Sequence, residues 1–558
     1  MSVTENRKKD KKLLRGVMIL TPATLFAKIV GLFYKIPLLH IVGVAGMAYF
    51  LSAYHVYSLL FVLSASGLPT ALSLLVSRAI ATGHGRVSRI FGLSVLVFLL
   101  LGGVGTLLLF LFAVPIAARL SMSGAAPAIA AIAPALFLSA FVGAVRGLFQ
   151  GAGDMLPTAI SEVLEALGKL VFGILLALRA AKSGAPVPIV AAAAIFGITL
   201  GVALSALFLL CLLLCRARHI FACRGTERDS VGRVLRTLFS VALPITVSAS
   251  VMSFVSLADT VLISSRLQAI GFAPHLANAM YSSYGNLAVP LYNLVPALLA
   301  PITLSLTPVL SAAFARGEGE GVRTAFASAF RLCALLALPA SLGLSVFAYP
   351  ILSLLYVGQS EAVSVATPLL ALLAPAVLLA VMIALTSAAL QAAGRTGVPV
   401  LSMLVGALVK LASEALLLSL PRVHIFGAPI STLLCNAAVL LVNTAVLYRL
   451  IPRGTVTVKN LLSPLAASLL AVGAGAGLYY YLLQFSLSSL LQMLPVLFLV
   501  AMLYFLAALL FSAVTAEDIV ALPFGEQLCA AFLRCHLLKE VKNEQRRKNQ
   551  ASFGEENL

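Results

Sequence analysis

Two lysines seven residues apart stand inside an apolar run from Phe26 to Lys35, read FAKIVGLFYK. At about 3.6 residues per turn, Lys28 and Lys35 leave a helix on nearly the same face, two turns apart. A cation at the centre of a bilayer costs about 2.5–3.5 kcal/mol on insertion scales, so such residues normally face a bundle interior or a water-filled cavity. Snorkelling to an interface would account for either lysine alone. For the pair, the reading is a polar, wetted helix face. Arg78 lies in a further apolar segment and Arg266 just past the end of the seventh, and with the two lysines they set four cations against one carboxylate, Asp259. A net-positive chamber of low dielectric attracts a polyanion, and a diphosphate offers several charge-assisted acceptors. Arginine would grip it in bidentate fashion and lysine as a point charge. Asp259 reads either as holding Arg266 in place or as binding a coupling cation, and the sequence leaves both open. Asn286 and Asn293, again seven apart, could line the chamber or hydrogen-bond between helices. Glu165 and Lys169, and Lys410 and Glu414, are spaced i, i+4 and are expected to pair on their own helices.

This chemistry is recognition, not catalysis. The chain has no phosphate-binding loop, no nucleophile elbow, no HExxH and no dense carboxylate or histidine cluster, so it is not read as an enzyme and no bound cofactor is expected. Transport would then draw on ion, potential or substrate gradients.

Membrane spans must hold these residues. Hydrophobic residues make up 61% of 558, charged residues 10%, and mean hydropathy is +1.07, a composition of an all-α polytopic membrane protein. Fourteen apolar segments follow, roughly 17–40, 48–80, 88–114, 127–150, 156–179, 187–215, 237–264, 277–313, 323–348, 361–391, 398–420, 425–448, 461–483 and 488–514. With the N-terminus inside, 26 cationic residues fall in cytoplasmic segments and 5 in outer ones, so both termini are expected in the cytoplasm. The net charge of +19 is thereby a matter of topology, and no nucleic-acid partner is expected. The seven cysteines show no disulfide framework. No cleavable signal follows the basic head, so the first helix is expected to stay as an anchor.

The segments repeat. Ala27-Lys28 through Lys35-Ile36 aligns with Ala258-Asp259 through Arg266-Leu267 at a shift of 231, and Leu72-Ser73-Leu74 with Leu304-Ser305-Leu306 at 232. Gln150 to Gly153 followed by Lys169 aligns with Gln391 to Gly394 followed by Lys410 at 241. Two six-helix lobes, 17–215 and 237–448, are expected around a basic linker, 216–236. A basic head at 1–16, two extra spans within 461–514 and a basic tail at 515–558 complete the chain, the tail touching anionic lipid. Parallel repeats of this kind belong to transporters, with the substrate site near the midplane between lobes.

The stretches LLRGVMILTPATLFAKIVGLFYKIPLLHIVG and YFLSAYHVYSLLFVLSASGLPTALSLLVSRAIATG, with the later YSSYGNLAVPLYNLVPALLAPITLSLTPVLSAAFARG, resemble the SpoVB/YtgP branch of the polysaccharide-biosynthesis flippases, MurJ-like members of the MOP superfamily. The resemblance implies fourteen helices and alternating access. It also implies an undecaprenyl-diphosphate-linked glycan precursor as cargo, lipid II for peptidoglycan or spore cortex in this branch, with Lys28, Lys35, Arg78 and Arg266 as the cationic cavity residues. The protein is expected to work as a monomer among membrane lipids. Lysines stand where MurJ-like relatives favour arginine, and Leu74 and Arg78 where this branch often has a lysine and an acidic residue. A cation-coupled multidrug exporter of the same superfamily is the alternative, and a non-transporting scaffold for wall assembly a third reading.

Overall fold

The computed structural model describes residues 3–63, 67–82, 87–220, 230–452, 455, 459–485, 488–511 and 513. The predicted tail from residue 515, residues 221–229 of the predicted linker, and Cys223, Cys529 and Cys535 lie outside the described residues.

Described residues form helices joined by short turns, with no strand among them. The first lobe comprises α1 (Val3–Phe61), α2 (Gly67–Thr82), α3 (Val87–Leu111), α4 (Ala113–Arg119), α5 (Ala126–Ile132), α6 (Pro134–Gly151), α7 (Leu156–Lys182) and α8 (Val187–Ile220). The second comprises α9 (Val231–Ala269), α10 (Pro274–Ser282), α11 (Val289–Arg316), α12 (Gly319–Val346), α13 (Ala348–Leu355), α14 (Ser360–Leu373), α15 (Pro375–Ala392), α16 (Gly397–Leu417) and α17 (Gly427–Leu447). Helices α18 (Lys459–Leu482) and α19 (Ser489–Leu510) follow.

Twelve of the described helical stretches are long and apolar enough to cross a membrane. The first, Pro22–Phe61, is itself two spans, because Gly43 sits at φ 73°, where only glycine turns a chain without a side-chain clash. Helix α7 is a further helix of spanning length, set apart by Glu162, Glu165 and Lys169. With both, the fourteen expected spans are present.

The repeat is structural as well. Helices α6 and α15 each begin on a proline, Pro134 and Pro375, and α7 and α16 begin at Leu156 and Gly397, all at a shift of 241. Proline lacks the N–H that a helix interior needs but suits a first turn, so each forces a break and restarts the helix at the same place.

The lobes meet closely at one end of the bundle. There the Asn286 amide donates to the Met47 carbonyl across 3.1 Å and His40 hydrogen-bonds the Val357 carbonyl, while within the second lobe the Tyr356 hydroxyl donates to the Asn286 carbonyl across 3.2 Å. A Cβ on Gly285 would lie 2.3 Å from Leu51 Cδ2, so the bare backbone permits this approach. We call this the Gly43 end. One hydrophobic core runs through the first lobe and into this part of the second, taking in Leu287, Leu291 and Leu369. At the opposite, Gly153 end the second lobe has a core of its own, around Leu310, Phe326, Cys333 and Leu385. The lobes thus share an interior at the Gly43 end, and toward the Gly153 end α2 packs along the start of α9, with Val234, Leu238 and Ala242 in the same core and Gly67 against Ala242. Helices α18 and α19 pack on each other and against α12 and α13 of the second lobe, with Phe347 among Val472, Met493 and Val496.

Candidate functional site: a cationic face and a buried ion triad

Helix α7 packs on α8 backbone to backbone. A Cβ on Gly197 would fall 2.2 Å from the Gly173 Cα, and one on Gly201 would fall 2.7 Å from both the Glu165 carbonyl and the Lys169 nitrogen. Small residues at such a seam let two membrane helices approach closely. The consequence is a fixed position for the turn that carries Glu165 and Lys169.

From that turn Lys169 reaches α1. Its Nζ lies 3.6 Å from where a Cβ on Gly31 would be. Residues 28, 31 and 35 follow one helix face, so the Lys169 ammonium sits over a gap between Lys28 and Lys35. Lys35 and Lys169 lie within electrostatic reach of each other. Among the described residues none of the three makes an ion pair. At about 1.5 Å per residue, Lys35 stands about 12 Å and Lys28 about 22 Å along α1 from Gly43, within the roughly 30 Å of a hydrocarbon core. Lys35 is half-buried and Lys28 exposed.

Glu165 lies within electrostatic reach of Lys169 but does not make the expected i, i+4 ion pair with it. Its direct partner is Arg146 at 3.0 Å, and Arg146 is held further by Ser161 at 2.8 Å and Ser205 at 3.3 Å. Glu162 accepts a hydrogen bond from Thr24 at 2.8 Å, tying α7 to α1 below the lysines.

The second lobe handles the same positions differently. Lys410 Nζ lies 2.5 Å from Asp259 Oδ2 on α9 and 3.9 Å from Glu414 Oε2 on its own helix. Asp259 therefore holds neither Arg266 nor any group of the first lobe; its partner is Lys410. The repeat explains the contrast. Lys410 corresponds to Lys169, and Asp259 to Lys28. Where the second lobe has a carboxylate to hold its lysine, the first has another lysine. One lobe is self-neutralised and the other is left positive.

Between the two clusters lies a polar bridge. His55 Nδ1 is 2.8 Å from the Thr260 hydroxyl and 3.2 Å from that of Tyr281, and the two hydroxyls are 2.8 Å apart. His55 is within electrostatic reach of Lys35, Asp259 and Lys410.

The remaining predicted residues are not part of this gathering. Arg266 is exposed in the last turn of α9, at the Gly43 end, where a cation complements the helix carbonyls. Arg78 is exposed near the end of α2, toward the Gly153 end. The expected convergence of four cations reduces to the lysine pair, because the match of Lys35 with Arg266 carries helix register but not distance from a helix end. Asn286 is buried and bridges the lobes, whereas Asn293 is exposed. The turn from Ser283 to Ala288 is a π-helix, whose extra residue rotates Asn293 off the Asn286 face. Lys169, missed as a free cation, was signalled by its match with Lys410. His55 carried no such signal.

A family model described as polysaccharide biosynthesis protein matches residues 13–314, and the MatE model matches residues 244–416. The membrane protein YabM of Bacillus subtilis strain 168 is 27% identical over 93% of this chain and 96% of its own. Stage V sporulation protein B of the same organism is 26% identical over 79% of this chain and 84% of its own. Its lipid II flippase MurJ is 25% identical over 77% and 82%. Among solved structures, a lipid II flippase MurJ in an inward closed conformation superposes with a TM-score of 0.67 at 14% identity, over 88% of this chain and 98% of that one. An inward-facing multidrug resistance MATE transporter of the MOP superfamily gives 0.60 at 16% identity, over 76% and 94%. Both likenesses are of fold.

Proposed function

The chain belongs to the polysaccharide biosynthesis protein family, and from that membership we propose that it is a flippase that moves a polyprenyl-diphosphate-linked glycan precursor across the bacterial cytoplasmic membrane by alternating access. The observation that carries this reading is the unpaired lysine face of the first lobe, Lys28, Lys35 and Lys169, at hydrocarbon depth. Three ammonium groups that make no direct ion pair among the described residues are costly there unless a polyanion visits them, and a diphosphate supplies the acceptors. Lipid II is the first candidate cargo, since the curated relatives include a protein named for flipping it and one named for sporulation; a teichoic or capsular precursor is the second. Lys28, Lys35 and Lys169 all come from one chain, which supports a monomer as the working unit.

A reconstituted-vesicle assay tests this. A headgroup-labelled polyprenyl-diphosphate glycan should become accessible to a membrane-impermeant quencher faster with protein than without, and inorganic pyrophosphate should slow it. A glycan on a neutral polyprenyl ether should not move. Equal movement of the neutral lipid would remove the role of the lysines. The MatE match over residues 244–416 favours a second reading, cation-coupled drug export; it requires export of cationic dyes that is lost in Asp259→Asn.

A further inference from the structure

Glu414 is 0% exposed, yet neither of its carboxyl oxygens has a hydrogen-bond partner among the described residues, and Asp259 Oδ1 lacks one too. A buried polar group is normally satisfied, and a buried charge is paired or coordinates a cation. Two acids from α9 and α16 thus converge on one place, and what fills it is Lys410, itself 7% exposed. Its nitrogen donates a charge-assisted hydrogen bond to Asp259 Oδ2 at 2.5 Å and stands 3.9 Å from Glu414 Oε2. The hydroxyl of Tyr284, which shares a 3.3 Å hydrogen bond with Thr432, is within electrostatic reach of all three groups.

We propose that Asp259 and Glu414 form a monovalent-cation site that the chain keeps filled with its own tethered ammonium, Lys410, so that it takes no metal ion from solution. The ammonium is delivered by the helix that also carries Glu414, four residues away. Filling the site covalently makes the tie between α9 and α16 independent of the salt outside. The cargo reading plays no part in this.

Removing the ammonium should expose the site. In purified full-length protein, thermal unfolding of the wild type should give the same Tm in sodium, potassium and choline chloride at equal ionic strength. Lys410→Gln should unfold at a temperature higher by about 3 °C or more in sodium or potassium than in choline, as expected when an ion binds only the folded state. The triple change Lys410→Gln, Asp259→Asn, Glu414→Gln should lose that difference. A sodium-stabilised wild type would overturn the proposal, as would a folded Lys410→Gln protein indifferent to the cation, or a triple variant that keeps the effect. If Lys410→Gln does not fold in any salt, the double variant Lys410→Gln, Glu414→Gln leaves Asp259 as the single acid. Dependence on a small cation there supports the proposal and indifference overturns it.

Discussion

Replacing Lys35 and Lys169 together by glutamine should slow headgroup translocation by about a hundredfold or more. Each charge-assisted hydrogen bond contributes about 1.5–3 kcal/mol, and each 1.4 kcal/mol is a factor of ten, so the loss of two such contacts to a phosphate exceeds two decades. The double arginine variant should retain most of the rate, since cation and donors survive. Arg266→Gln should leave the rate close to wild type, because that side chain sits exposed at the rim of α9, away from the lysine face. The measurement is the same quencher assay at matched protein density. A double glutamine variant that flips its lipid within a few fold of wild type would sink the assignment of the lysine face to the cargo.

Arrest should be complete when the lobes are stapled. A cysteine pair at Leu51 and Gly285 joins α1 to the π-turn after α10 at the point where a Cβ on the glycine would lie 2.3 Å from the leucine side chain. The Leu51 Cβ lies beyond 4 Å from that position, bonded to a Cγ at 3.7 Å, so the pair falls near the upper end of the roughly 3.5–4.5 Å between Cβ atoms that a disulfide asks for. In a background from which the seven native cysteines have been replaced, oxidation should abolish translocation, and reduction should restore it. Undiminished transport with the bond quantitatively formed would mean that the Gly43 end does not open during the cycle.

Much of this was legible in the residues. Long apolar runs and the partition of arginine and lysine give the spans because a bilayer leaves the backbone few alternatives. The seven-residue spacing of Lys28 and Lys35 put them on one face, and the structure keeps them there with Gly31 between. Spacing along one helix says nothing about a partner on another, which is why Lys410 was paired with Glu414 while its closer contact, Asp259, lies 151 residues away. The same limit explains Glu165, whose partner Arg146 comes from α6. Asn286 and Asn293 show a different failure, since a π-turn changes the angular period on which face assignments rest.

The two appended helices have a mechanical consequence. Because α18 and α19 dock on α12 and α13, the second lobe presents the larger body to the viscous bilayer. Equal and opposite torques turn the bulkier partner through the smaller angle, so drag makes it the stator. The lysine-bearing lobe becomes the rotor, and a probe fixed on α7 should sweep a wider arc than one on α16.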